Sequence, residues 1–185
     1  MLRVTRVPCC LRKPRAGPAL HRYRPPSKPV WETEWAPFGL DPWDPAWDDS
    51  SPSSGFTWAQ NIYTGLTAAD LGAFLYLWGR LWAFAGYSRF IRPGAVRIGT
   101  TTSDAGLDVT AFRNSDGSIA VIVLNSAHSR QGATISLRGL RGAHVTPYLT
   151  DATHQLSAQS PITMGDSSFT ATLPPRSLVT YDIRS

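Results

Sequence analysis

The amino-acid sequence changes character near residue 95, and this change constrains the fold more than any other feature. All seven tryptophans lie before it, between Trp31 and Trp82. Beyond it the sequence consists of short runs rich in β-branched residues, separated by turn residues. A shift in composition this sharp indicates two structural units. We therefore expect one unit at residues 31–95 and a second at residues 96–185.

The second unit has the pattern of an antiparallel β-sandwich. Its apolar runs follow one another at intervals of about 8–12 residues, the spacing typical of sandwiches. Between two of them, residues 114–117 read Asn-Ser-Asp-Gly, a hairpin turn whose glycine readily adopts a positive φ. The runs predict seven strands, at residues 96–99, 107–112, 119–124, 134–137, 145–149, 169–173 and 178–183.

The first unit reads as two strands alternating with two helices. Ser54 or Thr57 is suited to cap the first helix, because a side-chain hydroxyl accepts hydrogen bonds from the exposed backbone N–H groups of the first turn. The second strand is a continuous apolar run, as expected of a parallel strand buried on both faces. Such units build barrels or doubly wound sheets, and two strands alone close neither. The predicted elements are a strand at residues 30–35, a helix at 58–66, a strand at 73–78 and a helix at 81–90.

The basic character of the chain comes from residues 1–30. They contain eight basic residues and no acidic ones, whereas the remainder contains ten basic and thirteen acidic residues. A basic arm is compatible with binding to nucleic acid or to an anionic membrane. This one lacks the interleaved aromatic residues of a single-strand binder. We expect residues 1–30 to form a disordered leader, with neither nucleic acid nor membrane as a partner.

The sequence shows no pattern of a membrane span, a metal site or a cofactor site. The longest apolar stretch, residues 68–86, is interrupted by Asp70 and Arg80, and the leader has no apolar run long enough for a secretion signal. The two cysteines, Cys9 and Cys10, are adjacent and have no second pair with which to form a metal site. The histidines have no ligand-like spacing and are expected at the surface or in turns: His21, His128, His144 and His154.

The only two glutamates of the chain, Glu32 and Glu34, lie in the motif Trp-Glu-Thr-Glu-Trp at residues 31–35. In an extended strand, residues two apart share a face, so both carboxylates would point the same way. Carboxylates beside aromatic side chains are typical of sugar-cleaving enzymes, in which an acid acts at the anomeric carbon and an indole stacks on a sugar ring. The alternative is a solvated edge strand whose acidic residues have no chemical role.

Together, these segments resemble the C-terminal part of glycoside hydrolase family 30. The resemblance is carried by Trp-Glu-Thr-Glu-Trp at 31–35, Tyr-Leu-Trp-Gly at 76–79, Tyr-Ser-Arg-Phe-Ile-Arg-Pro-Gly at 87–94 and the terminal sandwich pattern. It implies an α+β fold: the last two βα units of a (β/α)8 barrel at 31–95, followed by an antiparallel β-sandwich at 96–185. It further implies an extracellular, retaining hydrolase of β-linked glycans, similar to endo-β-1,6-galactanases.

The resemblance also implies roles for individual residues. Glu34 matches the nucleophile at the end of the seventh barrel strand, and Trp35 and Trp78 match positions that line the sugar site. For Trp78 the alternative is ordinary packing within the barrel. Catalytic groups of barrels lie at the C-terminal ends of strands, which favours Glu34 over Glu32. We expect no role in sugar binding for Arg89 and Arg92. Each is expected instead to form a salt bridge with an acidic residue where the two units meet.

The sequence departs from the family in ways that bear on activity. A retaining glycosidase needs a second carboxyl group to protonate the leaving oxygen, and the family takes it from an Asn-Glu pair, which this sequence lacks. The first six barrel strands have no counterpart either. The aspartates of the proline-rich loop after residue 40 are not expected to replace the acid, because a solvated loop does not hold a carboxyl group in place. We therefore expect a truncated and inactive fragment.

Two further hypotheses come from other functional classes. One is a non-catalytic sandwich module that binds glycan or buttresses a barrel, and the other is an interaction protein that binds nucleic acid through its basic arm. Loss of salt-sensitive nucleic-acid binding on deletion of residues 1–30 would favour the basic-arm hypothesis. The sequence does not indicate an oligomeric state.

Overall fold

The computed structural model describes residues 2–6, 30–32, 46–49, 54–69, 71–74 and 81–185, with backbone alone at 2–6, 30–32 and 73–74. The described part contains two helices, α1 at Gly55–Thr67 and α2 at Leu81–Ser88. Its strands in chain order are β1 Leu2–Arg6, β2 Val30–Glu32, β3 Leu71–Phe74, β4 Val96–Ile98, β5 Thr100–Thr102, β6 Leu107–Arg113, β7 Ile119–Asn125, β8 Gln131–Leu137, β9 His144–Thr150, β10 Ser157–Ala158, β11 Ile162–Thr163, β12 Ser168–Leu173 and β13 Ser177–Arg184.

The predicted β-sandwich is confirmed, and each of the seven predicted strands is present. One sheet has seven strands in the order β10-β9-β13-β7-β6-β4, with β11 also paired to β9, and the other has the order β12-β8-β1-β5. Apolar side chains from both sheets form the core between them, among them Val121, Ile135, Phe169 and Tyr181. The predicted hairpin turn at 114–117 joins β6 to β7, and Gly117 has a φ of 86°.

The four-stranded sheet contains β1, which the sequence analysis assigns to a disordered leader. That expectation is wrong for these five residues. β1 lies between β8 and β5, antiparallel to β8, with Val4 opposite Ile135, and parallel to β5. Apolar residues at positions 2 and 4 alternate with polar ones, as in a strand with one face toward a core. The run is short and lies within a basic segment, so the composition of that segment does not indicate a strand. Residues 7–29 lie outside the described part.

The first unit contains the predicted parallel pair and both predicted helices. β2 pairs with β3 in parallel, with Val30 opposite Leu71 and Glu32 opposite Phe74. Helix α1 connects the two strands, and its cap is one of the two predicted residues: the Ser54 hydroxyl accepts a hydrogen bond from the Thr57 N–H at 3.1 Å. β3 begins two residues earlier than predicted, and residues 75–80 lie outside the described part.

The two helices cover the outer face of the seven-stranded sheet. This second core joins Phe56, Trp58 and Tyr87 from the helices to Ile122 and Leu178 from the sheet. Helix α2 approaches β13 closely because it has a glycine at the contact, where a Cβ would lie 2.5 Å from a methyl group of Leu178. The seven-stranded sheet is therefore buried on both faces, between the four-stranded sheet and the helices.

Candidate functional site

The predicted catalytic residues follow two parallel strands, β2 and β3, in the sequence. The C-terminal ends of parallel neighbours lie at the same edge of a sheet, which is where barrel enzymes carry their catalytic groups. Glu34 and Trp35 follow the last residue of β2, Glu32, and Trp78 follows the last residue of β3. Glu34, Trp35 and Trp78 all lie outside the described residues, so their roles stay predictions.

Several features of the local sequence favour this arrangement. Val30 and Trp31 are strand-forming residues, and Ser54 begins the helix that carries the chain back to the start of β3. Trp58, Ala59 and Ile62 lie on one face of α1 and are almost completely buried. This burial anchors α1, the described helix of the connection between β2 and β3, to the sandwich.

The segment just before α1 is fixed to the sandwich by Arg176. The Arg176 guanidinium donates from Nε to Asp48 Oδ2 at 2.6 Å and from Nη2 to Asp48 Oδ1 at 2.8 Å. It also lies 3.7 Å from the ring centroid of Phe56, within the range of a cation–π contact. In return, Trp47 Nε1 donates to the Arg176 carbonyl oxygen at 2.7 Å. We call this cluster of Trp47, Asp48, Phe56 and Arg176 the junction clamp.

The junction clamp replaces the salt bridge predicted for Arg89 and Arg92. Arg89 lies over the ring of Tyr148, 5.3 Å from its centroid, and Arg92 donates its backbone N–H to Asn114 Oδ1 at 3.0 Å. Within the described part of the chain neither arginine forms an ion pair, so that prediction was wrong. The sequence gives no signal for Arg176, because its partner Asp48 is distant along the chain and only the fold brings them together.

Asp48 belongs to the loop whose aspartates the sequence analysis considered as replacement acids. Its two carboxylate oxygens accept a bidentate pair from Arg176, which favours the ionised form. A general acid must instead hold a proton at the pH of the reaction. A carboxylate held in this pair is poorly suited to that role, and the expectation that the loop aspartates do not replace the acid stays a prediction.

A carboxyl group and two tyrosines meet where α1 covers β6. Burial raises the pKa of Asp108, although the Ser126 hydroxyl, 3.2 Å from Asp108 Oδ2, acts in the opposite direction. Burial likewise raises the pKa of Tyr63 and Tyr87, and the charge of Asp108 adds to both shifts. The Tyr87 hydroxyl donates to the Ala59 carbonyl at 3.0 Å. The Tyr87–Ala59 hydrogen bond joins α2 to α1, which gives this interface a structural role.

The described histidines lie where the sequence predicts. His128 and His144 are exposed, and His154 lies in a turn with its Nδ1 2.8 Å from Asp151 Oδ1. Across the described ranges there is no group of three His, Cys, Asp or Glu residues able to hold a metal ion. Nor does any described helix have the length and apolar character needed to cross a membrane.

Comparison with known proteins identifies the sandwich. Residues 94–181 match the family described as the glycosyl hydrolase family 30 beta sandwich domain. Glucuronoxylanase XynC from Bacillus subtilis is 26% identical over 98 residues, which are 52% of this chain and 23% of that protein. The chain thus spans about a quarter of the length of this curated relative.

Solved structures extend the similarity beyond the sandwich. The catalytic domain of GH30 xylanase C from Talaromyces cellulolyticus is 36% identical with a TM-score of 0.74, over 86% of this chain and 42% of that one. A GH30 endoxylanase from Clostridium papyrosolvens has a TM-score of 0.73 at 22% identity, over 85% of this chain and 42% of that one. A family 44 xyloglucanase from Paenibacillus polymyxa has a TM-score of 0.64 at 18% identity, over 85% of this chain and 32% of that one; at these identities the last two show a shared fold.

The family match covers the sandwich, and the structural match extends beyond it to 86% of the chain. Both agree with the resemblance carried by the sequence motifs. Residues 94–181 are therefore a β-sandwich domain of glycoside hydrolase family 30, and the chain matches the C-terminal part of that family's proteins.

Proposed function

We propose that this chain supplies Glu34 as the nucleophile for the hydrolysis of a β-linked glycan by a retaining mechanism. The observation that supports this is the parallel pairing of β2 with β3. It gives the residues that follow the two strands a common sheet edge, as in a barrel active site. Glu32 is paired within β2, opposite Phe74, whereas Glu34 lies two positions further along the sequence, outside the described residues.

The proposed chemistry follows from the residue types. The Glu34 carboxylate attacks the anomeric carbon and displaces the leaving oxygen, which forms a covalent glycosyl-enzyme intermediate. Water then hydrolyses this ester, so that the product keeps the configuration of the substrate. Trp35 and Trp78 present indole faces on which sugar rings stack.

The relatives favour xylan as the glycan. The family 30 proteins compared above carry the names xylanase and glucuronoxylanase, whereas the sequence motifs suggested a likeness to β-1,6-galactanases. We therefore take xylan as the first substrate class and β-1,6-galactan as the second. An extracellular location, implied by the family resemblance, belongs to the same proposal.

We expect the chain alone to show no turnover of natural glycans. Glu32 and Glu34 are its only glutamates, and Asp48 is ion-paired to Arg176. Proton donation to the leaving group is typically worth about 10²–10⁴-fold in rate. A substrate with a strongly acidic leaving group does not need that proton, so it isolates the role of the nucleophile.

The test is covalent labelling with a 2-deoxy-2-fluoro-β-xylobioside that carries a dinitrophenolate leaving group, followed by peptide mass spectrometry. We expect a glycosyl adduct on the peptide containing Glu34, and no adduct in the Glu34→Gln variant. Glu32→Gln is the matched control and should label like the parent chain. Labelling of Glu32, or no labelling of the parent, would contradict the assignment of Glu34.

A second function, buttressing of the barrel unit by the sandwich, is favoured by the burial of the seven-stranded sheet on both faces. Helices α1 and α2 pack on its outer face through Phe56, Trp58 and Tyr87. In this role the sandwich supports the strands that carry the nucleophile. The two functions are compatible, and loss of labelling in sandwich variants that weaken the helix contact would support the second.

A further inference from the structure

An open groove lies on the flank of the sandwich, away from the face that α1 and α2 cover. Its volume is about 420 Å³, within the roughly 300–1,000 Å³ typical of small-ligand sites. One wall is β12, and the other is the connection between β10 and β11. The polar residues of its lining are Arg130, Gln159, Ser160, Thr170, Thr172 and Tyr181.

The base of the groove belongs to the rigid core. Tyr181 is almost completely buried, and its ring lies 5.2 Å from that of Phe169. Leu149 and Val179 come from neighbouring strands of the same sheet. Because these residues are fixed by the sheets around them, the groove is preformed and needs little ordering on binding.

The walls present many hydrogen-bonding groups. β12 is the last strand of its sheet within the described part, so one backbone edge carries no strand, and Thr170 and Thr172 are exposed along it. The Gln159 backbone N–H donates to the Pro147 carbonyl at 2.8 Å, and its Nε2 donates to the Ser157 carbonyl at 3.0 Å. The Gln159 side chain is thereby oriented, while its Oε1 receives no hydrogen bond from a described residue.

Arg130 gives the groove a positive charge. It is exposed and forms no ion pair with any residue in the described ranges. A guanidinium presents paired N–H donors that match a carboxylate in a bidentate arrangement. Beside it, Ile162 and Pro174 supply apolar surface suited to the C–H faces of a sugar ring.

We propose that this groove is a second glycan-binding site, which holds a short stretch of a β-linked polysaccharide bearing a uronic acid. Arg130 pairs with the uronate, while Gln159, Ser160 and the two threonines bond to sugar hydroxyls. The polysaccharide class rests on the proposed function. A peptide added as a strand to β12 is the rival occupant, but it would need apolar pockets for alternate side chains, and the walls carry mainly polar groups.

The test measures binding of two xylo-oligosaccharides, one carrying a single glucuronic acid and one unsubstituted, by titration calorimetry. The chain carries Glu34→Gln so that hydrolysis cannot interfere. We expect Arg130→Ala to weaken binding of the acidic oligosaccharide about tenfold, the loss typical of a charge-assisted hydrogen bond, and to leave the neutral one unchanged. Gln159→Ala should weaken binding of both.

Arg141→Ala is the matched control, because it removes the same charge from an exposed position beyond the opposite end of β8. It should change both affinities by less than about twofold, as for an exposed charge outside the site. Absence of binding, equal losses for Arg130→Ala and Arg141→Ala, or displacement of the oligosaccharide by extended peptides would overturn the proposal. Failure of Glu34 labelling with groove binding retained would refute the catalytic proposal alone.

Discussion

At the scale of single residues, Arg176 connects the two units through its backbone as well as its guanidinium. Its N–H donates to the Ala127 carbonyl at 3.0 Å, and its carbonyl accepts from Trp47 Nε1. It has a φ of 49°, a conformation that costs a residue other than glycine about 1–3 kcal/mol. The bidentate pair with Asp48 and the contact with Phe56 offset that cost.

We expect Arg176→Ala to lower the free energy of unfolding by about 2–3 kcal/mol, because it removes the bidentate hydrogen bonds to the largely buried carboxylate of Asp48. A double-mutant cycle with Asp48→Ala, followed by urea unfolding, measures the coupling directly. Arg184→Ala is the control: Arg184 also pairs with an aspartate, but its side chain is 58% exposed, so the loss should stay below about 0.5 kcal/mol. Equal losses for both arginines would contradict the role of the clamp.

The turn at Asp151 makes stability depend on pH. Burial raises the pKa of Asp151, but hydrogen bonds from Thr153 and His154 outweigh it, and the pKa lies below its ordinary 3.8. Because the folded-state pKa is depressed, the carboxylate stabilises the fold above pH 3.8, and this contribution is lost as the pH falls further. Asp151→Asn should therefore be less stable than the parent at neutral pH, and thermal unfolding should show the difference vanishing in acid. A difference that persists in acid would contradict this account.

Residue-scale features differ in how far the sequence predicts them. The Ser54 cap and the turn at Gly117 are local, because the residue that makes the contact lies within a few positions of its partner. The junction clamp is not local, and nothing near Arg176 in the sequence indicates Asp48 as its partner. Glu34 was assigned from a motif, and its place in the site stays a prediction.

At the scale of elements, the longer strands of the sandwich were predictable because their apolar runs are long enough to show a period. β5, β10 and β11 have two or three residues each, too few for any pattern to stand out. They are strands because a longer neighbour supplies their hydrogen-bonding partners. The sequence therefore predicts the long strands of the sandwich and misses the short strands at the edges of its sheets.

The packing of α2 on β13 depends on Gly86. The Thr180 hydroxyl donates to the Gly86 carbonyl at 2.7 Å, and a methyl group at position 86 would collide with Leu178. We expect Gly86→Ala to lower the free energy of unfolding by about 1–3 kcal/mol, the usual cost of overpacking. Gly132→Ala, at a position with open space around it, is the control and should be close to neutral in chemical denaturation. An unchanged free energy of unfolding in Gly86→Ala would show that the helix is free to shift.

At the scale of the whole molecule, the two predicted units form one packed body. The outer face of the seven-stranded sheet carries Phe112, Ile122 and Leu124, which α1 and α2 cover. The division at residue 95 is therefore a change of architecture along the chain and not a gap between separate bodies. Composition predicts the change, but it does not show that the two parts share a core.

We expect residues 96–185 alone to self-associate, because removing the helices exposes that apolar face and removing β1 leaves β5 and β8 without their shared neighbour. Exposed apolar patches larger than a few hundred Å² commonly mark sites of association. Light scattering and size-exclusion chromatography of this fragment measure the effect, and Ile122→Ser with Leu124→Ser in the fragment should reduce it. A monomeric fragment that unfolds cooperatively would contradict this expectation.

β1 belongs to the same packed body, although it lies far in the sequence from its partner strands β5 and β8. We expect Val4→Pro to lower the unfolding temperature, because proline has no N–H and disrupts a strand that has neighbours on both sides. Val4→Ala keeps the N–H and should lower it less. Hydrogen exchange at the β8 amides should increase in the proline variant, and unchanged exchange would contradict the pairing.

The position of β1 also sets the order of events during synthesis. Val4 leaves the ribosome long before its partners Thr102 in β5 and Ile135 in β8, so β1 has no neighbouring strand until β5 emerges and has only one until β8 emerges. Contacts between distant residues form slowly, because the intervening chain must first be ordered. The four-stranded sheet therefore closes late, after β8 has emerged. Until then the nascent chain exposes an open strand position, the kind of unpaired edge at which strands of separate chains can pair.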